Sequence, residues 1–277
     1  MVRKTEKREN RIDAMFARLR KEKRTAFATF TVGGDPTFEE SLARLKTFVK
    51  SGIDLIEIGY PFSDPILDGA TIQKANRRAM AAGGNLSKTF ELCAAFRKED
   101  DTTPLVLMGY ANPIIALGYE RFAEKAAEAG IDGIIAADLP LREAGDLLKA
   151  LARHGLYMIP LAAPTLEAKD FAADQPGLGG FLYCIPVVGP TGGPSASQDA
   201  IAEAVERCRR QVRLPVMVGF GVKTPEMAAG VASVADGVIV ATALIDAFLA
   251  LEQEIPLADP AFHTRVAEKL AAFRAAI

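Results

Sequence analysis

Residues 104–155 read PLVLMGYANPIIALGYERFAEKAAEAGIDGIIAADLPLREAGDLLKALARHG. An apolar run, PLVLMGYA (104–111), gives way to YERFAEKAAEAG (119–130). A second run, DGIIAADLP (132–140), is followed by REAGDLLKALARHG (142–155). The runs are short and apolar throughout, as strands buried on both faces are. The segments after them place apolar residues at helical spacing: Phe122, Ala126 and Ala129 in one, Leu147, Leu148 and Leu151 in the other. Each closes on a glycine, Gly130 or Gly155, the residue that most easily adopts the left-handed turn beyond a helix. The unit is strand, helix, strand, helix, which requires a parallel sheet covered by helices.

The same unit extends in both directions. Further runs are TAFATFTVGG (25–34), DLIEIGYP (54–61), LYMIPLAA (156–163), GFLYCIPV (180–187), PVMVGFGV (215–222) and DGVIVATA (236–243), which makes eight. Eight strands alternating with helices predict an α/β fold, a (β/α)8 TIM barrel, with a doubly wound sheet as the alternative. Even spacing and the lack of a linker favour the barrel, as a single domain over residues 1–277. Residues 8–20 predict an additional N-terminal helix, with Ile12, Met15, Phe16 and Leu19 on one face, capping the bottom of the barrel. The segment HTRVAEKLAAFRAAI (263–277) predicts the eighth helix.

Composition narrows the function. Of 277 residues, 49% are hydrophobic and 25% charged, and the net charge is −2, which gives no support for nucleic-acid or polyanion binding. Three cysteines, Cys93, Cys184 and Cys208, show no CxxC spacing, which fits reduced thiols. The first residues lack the apolar core of a signal peptide, and no apolar run is long enough to span a membrane. The expectation is a cytoplasmic protein.

In DLIEIGYP a glutamate interrupts the apolar run. Side chains alternate along a strand, so Ile56, Ile58 and Tyr60 share one face and Leu55, Glu57 and Gly59 the other. The bulkier face belongs against the helices, which turns Glu57 into the barrel near its C-terminal mouth, where such barrels hold their active sites. The competing reading is a structural glutamate satisfied by a hydroxyl or a water. Asp64 and Asp68 follow in the next loop, and either also suits a plain turn before Pro65 or Gly69. Farther on, VGFGVKTPEMAAG (218–230), VIVATALIDAF (238–248) and GPTGG (189–193) place small residues at three consecutive strand ends. Backbone amides and helix N-termini there suit a phosphate, although glycines also serve ordinary turns. The strands carry no lysine for Schiff-base chemistry; Lys223 lies just past the seventh, in the phosphate loop. The only histidines, His154 and His263, fall in helical segments, which disfavours a metal aldolase or a histidine-dependent hydrolase. Carboxylate acid–base catalysis is left, with Tyr60, Tyr110 and Tyr183 as aids or as ordinary packing.

The motif IEIGYPFSDPILDGATIQ (56–73) resembles the signature of the tryptophan synthase alpha subunit family, a phosphate-binding (β/α)8 barrel. TFTVGGDP (29–36), PLVLMGYANPI (104–114), GIIAADLP (133–140), GPTGG and VGFGVKTPE (218–226) resemble the family's other blocks, in the family's order, so the resemblance covers nearly the whole chain. It implies retro-aldol cleavage of indole-3-glycerol phosphate to indole and glyceraldehyde 3-phosphate. Glu57 would move the protons and Asp68 would hold the ring nitrogen. Phe30, Met108, Tyr110, Ala137, Leu161 and Tyr183 would line the indole pocket, and Thr191 would hydrogen-bond Asp68 as its loop closes. Gly192, Gly221, Ala241 and Thr242 would hold the phosphate. The resemblance further implies no cofactor in this subunit and a pyridoxal-phosphate-dependent beta subunit as partner in an α2β2 tetramer, with Asp64, Pro65 and Asn112 at the contact. The chain departs from the usual pattern at Thr29, Pro186, Val188, Pro190, Ala241 and Thr242. Those changes keep in view a free-standing indole-releasing lyase of a specialised pathway; a further alternative is a non-catalytic activator of a beta subunit, against which Glu57, Asp68, Tyr183 and Thr191 speak.

Overall fold

The structure is a computed structural model and describes residues 9–163, 175–186, 197–219 and 221–277. In chain order its first half runs α1 (Arg11–Glu22), β1 (Ala26–Val32), α2 (Phe38–Lys50), β2 (Leu55–Gly59), α3 (Ala70–Ala81), α4 (Leu86–Arg97), β3 (Leu105–Gly109), α5 (Ala111–Leu117), α6 (Tyr119–Glu128) and β4 (Gly133–Ala136). The second half runs α7 (Gly145–Arg153), β5 (Tyr157–Met158), β6 (Leu161–Ala162), β7 (Leu182–Cys184), α8 (Gln198–Gln211), β8 (Val216–Val218), α9 (Pro225–Ala232), β9 (Gly237–Val240), α10 (Thr242–Glu254) and α11 (Pro260–Ala276).

All neighbouring strands are parallel, in the order β5-β4-β3-β2-β1-β9-β8-β7-β6. The two ends of that order, β5 and β6, are successive pieces of one segment, so the sheet closes into a barrel. The run 156–163 reads as one strand in the sequence; in the structure it is split at Ile159 and Pro160. Ile159 N donates to Ile134 O of β4 at 2.8 Å, whereas Pro160 O accepts from Tyr183 N of β7 at 3.0 Å. Proline has no N–H to continue the first ladder, and the segment changes partners there.

Alternation along the strands produces two apolar layers. Outward residues such as Phe27, Ile56, Ile58, Leu107, Ile134 and Leu182 pack under the helices. Inward residues Ala28, Leu55, Val106, Ile135, Phe181, Met217 and Ile239 fill the barrel, and α1 closes its lower end with Ile12, Met15, Phe16 and Leu19. The Phe16 and Phe181 rings meet with centroids 6.3 Å apart. This helix starts at Arg11 rather than residue 8 because Asn10 caps it, its side chain accepting from Ile12 N. A further helix, α5, follows β3 directly where the sequence reads as a loop. Its first amide, Ala111 N, donates to Asp138 Oδ1 at 2.7 Å, a side chain from beyond the next strand.

Three aspartates just before β2, β4 and β9 tie each strand to its neighbour at the lower end. Asp54 Oδ2 accepts from Phe27 N at 3.1 Å, Asp132 Oδ2 from Leu105 N at 2.9 Å, and Asp236 Oδ2 from Val216 N at 2.8 Å. Asp132 also receives Arg11 Nη1 at 2.7 Å and Arg97 Nη2 at 2.9 Å, so α1 and α4 are held to the barrel floor through it. Among the described residues no helix is long and apolar enough to cross a membrane.

If α1 plugs the barrel, Phe16→Ala should cost about 3–5 kcal/mol, the range for truncating a buried aromatic. Urea unfolding would measure it, and a loss below about 1 kcal/mol would place the ring outside the core.

Candidate active site

Glu57 sits at the centre of β2, with Leu55 below it on the inner face and Ile56 and Ile58 turned outward. It is 1% exposed, and its Oε1 has no hydrogen-bond partner among the described residues. A carboxylate in that position has lost water and gained no donor, which disfavours the charged form. Burial alone pushes its pKa up to about 8. The side chain faces a cavity of about 170 Å³ at the C-terminal mouth of the barrel.

Phe30, Met108, Tyr110, Ala137, Leu161 and Tyr183 all line this cavity, together with Asp68 and the neighbouring Ile72 and Asn76. The walls are therefore aromatic and aliphatic, with two carboxyl groups aimed in. Two glycines make room for the rings. A Cβ on Gly59 would stand 2.6 Å from Phe30 Cζ, and one on Gly219 would stand 2.1 Å from the Tyr183 hydroxyl. Burial, and then the charge of Glu57, hold the Tyr183 hydroxyl well above the ordinary phenol range, so it remains a donor. Tyr60, read as an aid to catalysis or as packing, belongs to the outer apolar layer and also borders the cavity, and its hydroxyl donates to Tyr110 O.

Asp68 is half-buried in the loop between β2 and α3. Desolvation raises its pKa to about 6, against the hydrogen bonds from Tyr110 and Asn76 that favour the anion. Asn76 Nδ2 donates to Asp68 Oδ2 at 3.3 Å, and Gln73 Nε2 to Asp68 O at 2.9 Å. The two acids thus have different environments. At neutral pH the more deeply buried Glu57 carries a proton and Asp68 does not, which is how one pocket keeps an acid and an anion side by side.

A second cavity, of about 480 Å³, adjoins the first and shares Gly219 and Ala241 with it. Gly221, Thr242 and Lys223 line it, and so do Thr71 and Asp246. Here α10 begins, and the amides of Thr242 and Ala243 come before its first backbone bond, from Leu244 N to Ala241 O at 3.0 Å. The Ala241 methyl faces both cavities and is 9% exposed. Thr191 and Gly192, with Val188 and Pro190, lie outside the described residues.

Asp64 and Asn112 are exposed and Pro65 is half-buried, on the loop after β2 and on α5. The same two segments carry the exposed large hydrophobic side chains Ile66, Leu67 and Ile115, at 76%, 43% and 54%. Both histidines lie on the outer helical layer: His154 Nε2 is 3.0 Å from Glu120 and His263 Nε2 is 3.3 Å from Glu40. Sequence reading missed Asn76 and Asp138, which hold Asp68 and α5. A buried asparagine on the apolar face formed by Ile72, Ala75 and Ala79 was the available signal for the first.

Glu57 also bears on stability. Its folded pKa of about 8 lies above the ordinary value of 4.5, so the native state binds the extra proton, and stability falls as pH rises between those values. Glu57→Gln removes that loss. The variant should unfold at a higher temperature than the parent, with a gap that is small at pH 5 and largest above pH 8. Calorimetric scans across this range check it; a gap independent of pH would mean that Glu57 is ionised and satisfied.

Comparison with known proteins gives the family and the fold. The family model described as "Tryptophan synthase alpha chain" matches residues 16–270. The tryptophan synthase alpha chain of Caulobacter vibrioides (strain NA1000 / CB15N) is 46% identical over 237 residues, 86% of each chain. That of Caulobacter sp. (strain K31) is 46% identical over 244 residues, 88% of this chain and 89% of the other. Among solved structures, tryptophan synthase subunit alpha from Legionella pneumophila str. Paris superposes with a TM-score of 0.88 at 38% identity, covering 97% of this chain and 98% of that one. Tryptophan synthase from M. tuberculosis superposes at 0.82 and 32% identity, covering 97% and 99%. With matched sequence from α1 to α11, a shared barrel and the two acids at its mouth, the chain belongs to the tryptophan synthase alpha chain family.

Proposed function

We propose that Glu57 and Asp68 divide between them the chemistry of cleaving indole-3-glycerol phosphate, with Glu57 moving protons and Asp68 staying anionic. As an alpha chain of tryptophan synthase the protein is a lyase of tryptophan biosynthesis, and neither the free-standing enzyme nor the non-catalytic activator is favoured. The single observation that supports the division most is the buried carboxyl group of Glu57, its Oε1 without a partner among the described residues, facing an apolar cavity that Asp68 also lines.

The indole ring occupies the smaller cavity among Phe30, Met108, Tyr110, Ala137, Leu161 and Tyr183. Protonated Glu57 gives its proton to carbon 3 of the ring. The positive charge that develops on the ring nitrogen is met by the Asp68 carboxylate. Glu57, now anionic in a site with little water, takes the proton of the side-chain hydroxyl nearest the ring. The carbon–carbon bond breaks, its electron pair neutralises the ring, and indole and glyceraldehyde 3-phosphate form. Glu57 ends protonated, as it began. The phosphate rests in the second cavity on backbone amides around Gly221, Ala241 and Thr242, with Gly192 as a further phosphate holder and Thr191 as a hydrogen-bond partner of Asp68. The Ala241 methyl narrows that cavity compared with the glycine usual in the family.

A beta subunit is the partner of an alpha chain of this family. We assign the contact to Asp64, Pro65 and Asn112, where Ile66, Leu67 and Ile115 leave apolar surface uncovered in the isolated chain, within an α2β2 tetramer. The barrel acts as one domain, with three buried, unpaired cysteines that suit the cytoplasm.

The test is a pH profile of indole release by the purified chain. In kcat/KM, activity should rise with pH through about 6 as Asp68 loses its proton, and fall through about 8 as Glu57 loses its own. Glu57→Gln should lower kcat at least about 10²-fold. Asp68→Asn should abolish cleavage while a non-cleavable indole-alkyl phosphate still binds. A Glu57→Gln variant within a factor of a few of the parent would sink the assignment.

A further inference from the structure

Two helices stand over the barrel mouth between the acid and the phosphate cavity. Asp68 lies two residues before the start of α3, and α10 begins at Thr242 in the phosphate cavity. Each is an extra helix, inserted before the one that continues the alternation, α4 or α11. They pack together through a small apolar cluster that they share with Phe30 and Val32 of β1. Ile72, Ala75 and Ala79 of α3 meet Ala241 and Ile245 at the start of α10.

Two polar links fasten the same pair. Thr71 Oγ1 donates to Asp246 Oδ1 at 2.7 Å. At the far end, Arg78 Nη1 is 2.8 Å from Glu252 Oε2, and its Nε is 2.9 Å from the buried Asp35 beyond β1. Buried Arg44 of α2 lies 3.4 Å from the same Glu252.

The spacing of the near link carries the inference. Thr71 is three residues after Asp68, and Asp246 is four after Thr242, on the same face of α10. The Asp246 carboxylate borders the phosphate cavity but repels an anion, so it is no ligand for one. Its partner in the structure is Thr71. With Arg78 anchoring the far end of α3, a movement of the first turn of α10 is passed to the first turn of α3, where Asp68 is attached.

We propose that α3 and α10 form one clasp, in which the Thr71–Asp246 hydrogen bond couples an occupied phosphate site to the placing of Asp68 against the substrate's ring nitrogen. This rests on the functional reading above. Thr71 and Asp246 are positioning residues: they act through Asp68 rather than on the substrate.

The experiment uses indole-3-glycerol, the substrate without its phosphate, with inorganic phosphate added separately. In the wild-type chain added phosphate should speed cleavage at least about tenfold, within the usual range of coupling between two sites. Thr71→Val and Asp246→Ala should each cut that acceleration to below about twofold, the double variant should lose no more than either, and Thr71→Ser should keep it. Asp246 is exposed, so its variant carries the test even if Thr71→Val folds poorly. A uniform loss of rate with the acceleration intact would make both residues merely structural and overturn the proposal. A wild-type chain that cleaves indole-3-glycerol phosphate without any phosphate acceleration of the truncated substrate would overturn it too. Failure to cleave indole-3-glycerol phosphate itself would instead overturn the functional reading.

Discussion

A closed parallel barrel leaves almost nowhere for a charge. Every strand is covered by helices outside and by other strands' side chains inside, so a carboxyl group on the inner face must find a partner, lose its charge or stand at an end. Glu57 loses its charge: it is 1% exposed, its Oε1 finds no donor among the described residues, and burial pushes its pKa up to about 8. The other features of the site are arranged around that desolvated group. The apolar walls that keep water from it also suit a flat aromatic ring, and the same burial is what chiefly keeps Tyr183 a donor. Asp68, placed on a loop rather than a strand, has Tyr110 and Asn76 to support its charge.

The two ends of the barrel are built from opposite uses of the same residue type. At the lower end Asp54, Asp132 and Asp236 are spent on amides and guanidinium groups. Asp54 accepts from Phe27 N and also receives Arg274 Nη1 at 3.1 Å. These carboxylates are well satisfied and fix the strands' relative heights. At the upper end Glu57 is left unsatisfied and Asp68 only partly satisfied. The carboxylates without chemistry are the satisfied ones, and the two carboxyl groups of the site, both with raised pKa values, stand where the cavity opens.

Much of this was legible in the sequence because it depends on period. Two-residue alternation in DLIEIGYP is enough to turn Glu57 inward, and the spacing of Ile12, Met15, Phe16 and Leu19 is enough to make α1 a plug. The family motif supplied the remaining pocket residues, and the described ones border the two cavities. What was not legible depends on distance in space. Thr71 and Asp246 are 175 residues apart, and neither position has a local signal that names the other. The break in the fifth strand was signalled by Pro160, yet the apolar pattern runs through it without interruption. The helix α5 was hidden because its cap is Asp138, 27 residues downstream of the amide it holds.

That break gives the barrel a lap joint. Residues 157–159 are stitched to β4, with Met158 also bonded to the chain just before β7 (Met158 N to Gly177 O at 2.6 Å and Gly179 N to Met158 O at 3.3 Å), and residues 160–162 are stitched to β7. Tyr183 N to Pro160 O and Ile185 N to Ala162 O, both at 3.0 Å, are the described bonds that hold the upper half of the seam. Leu161 stands in that half and forms part of the cavity wall. The wall beside the cavity therefore hangs from β7 through Pro160 and Ala162, so its place is set by the strand that carries Tyr183.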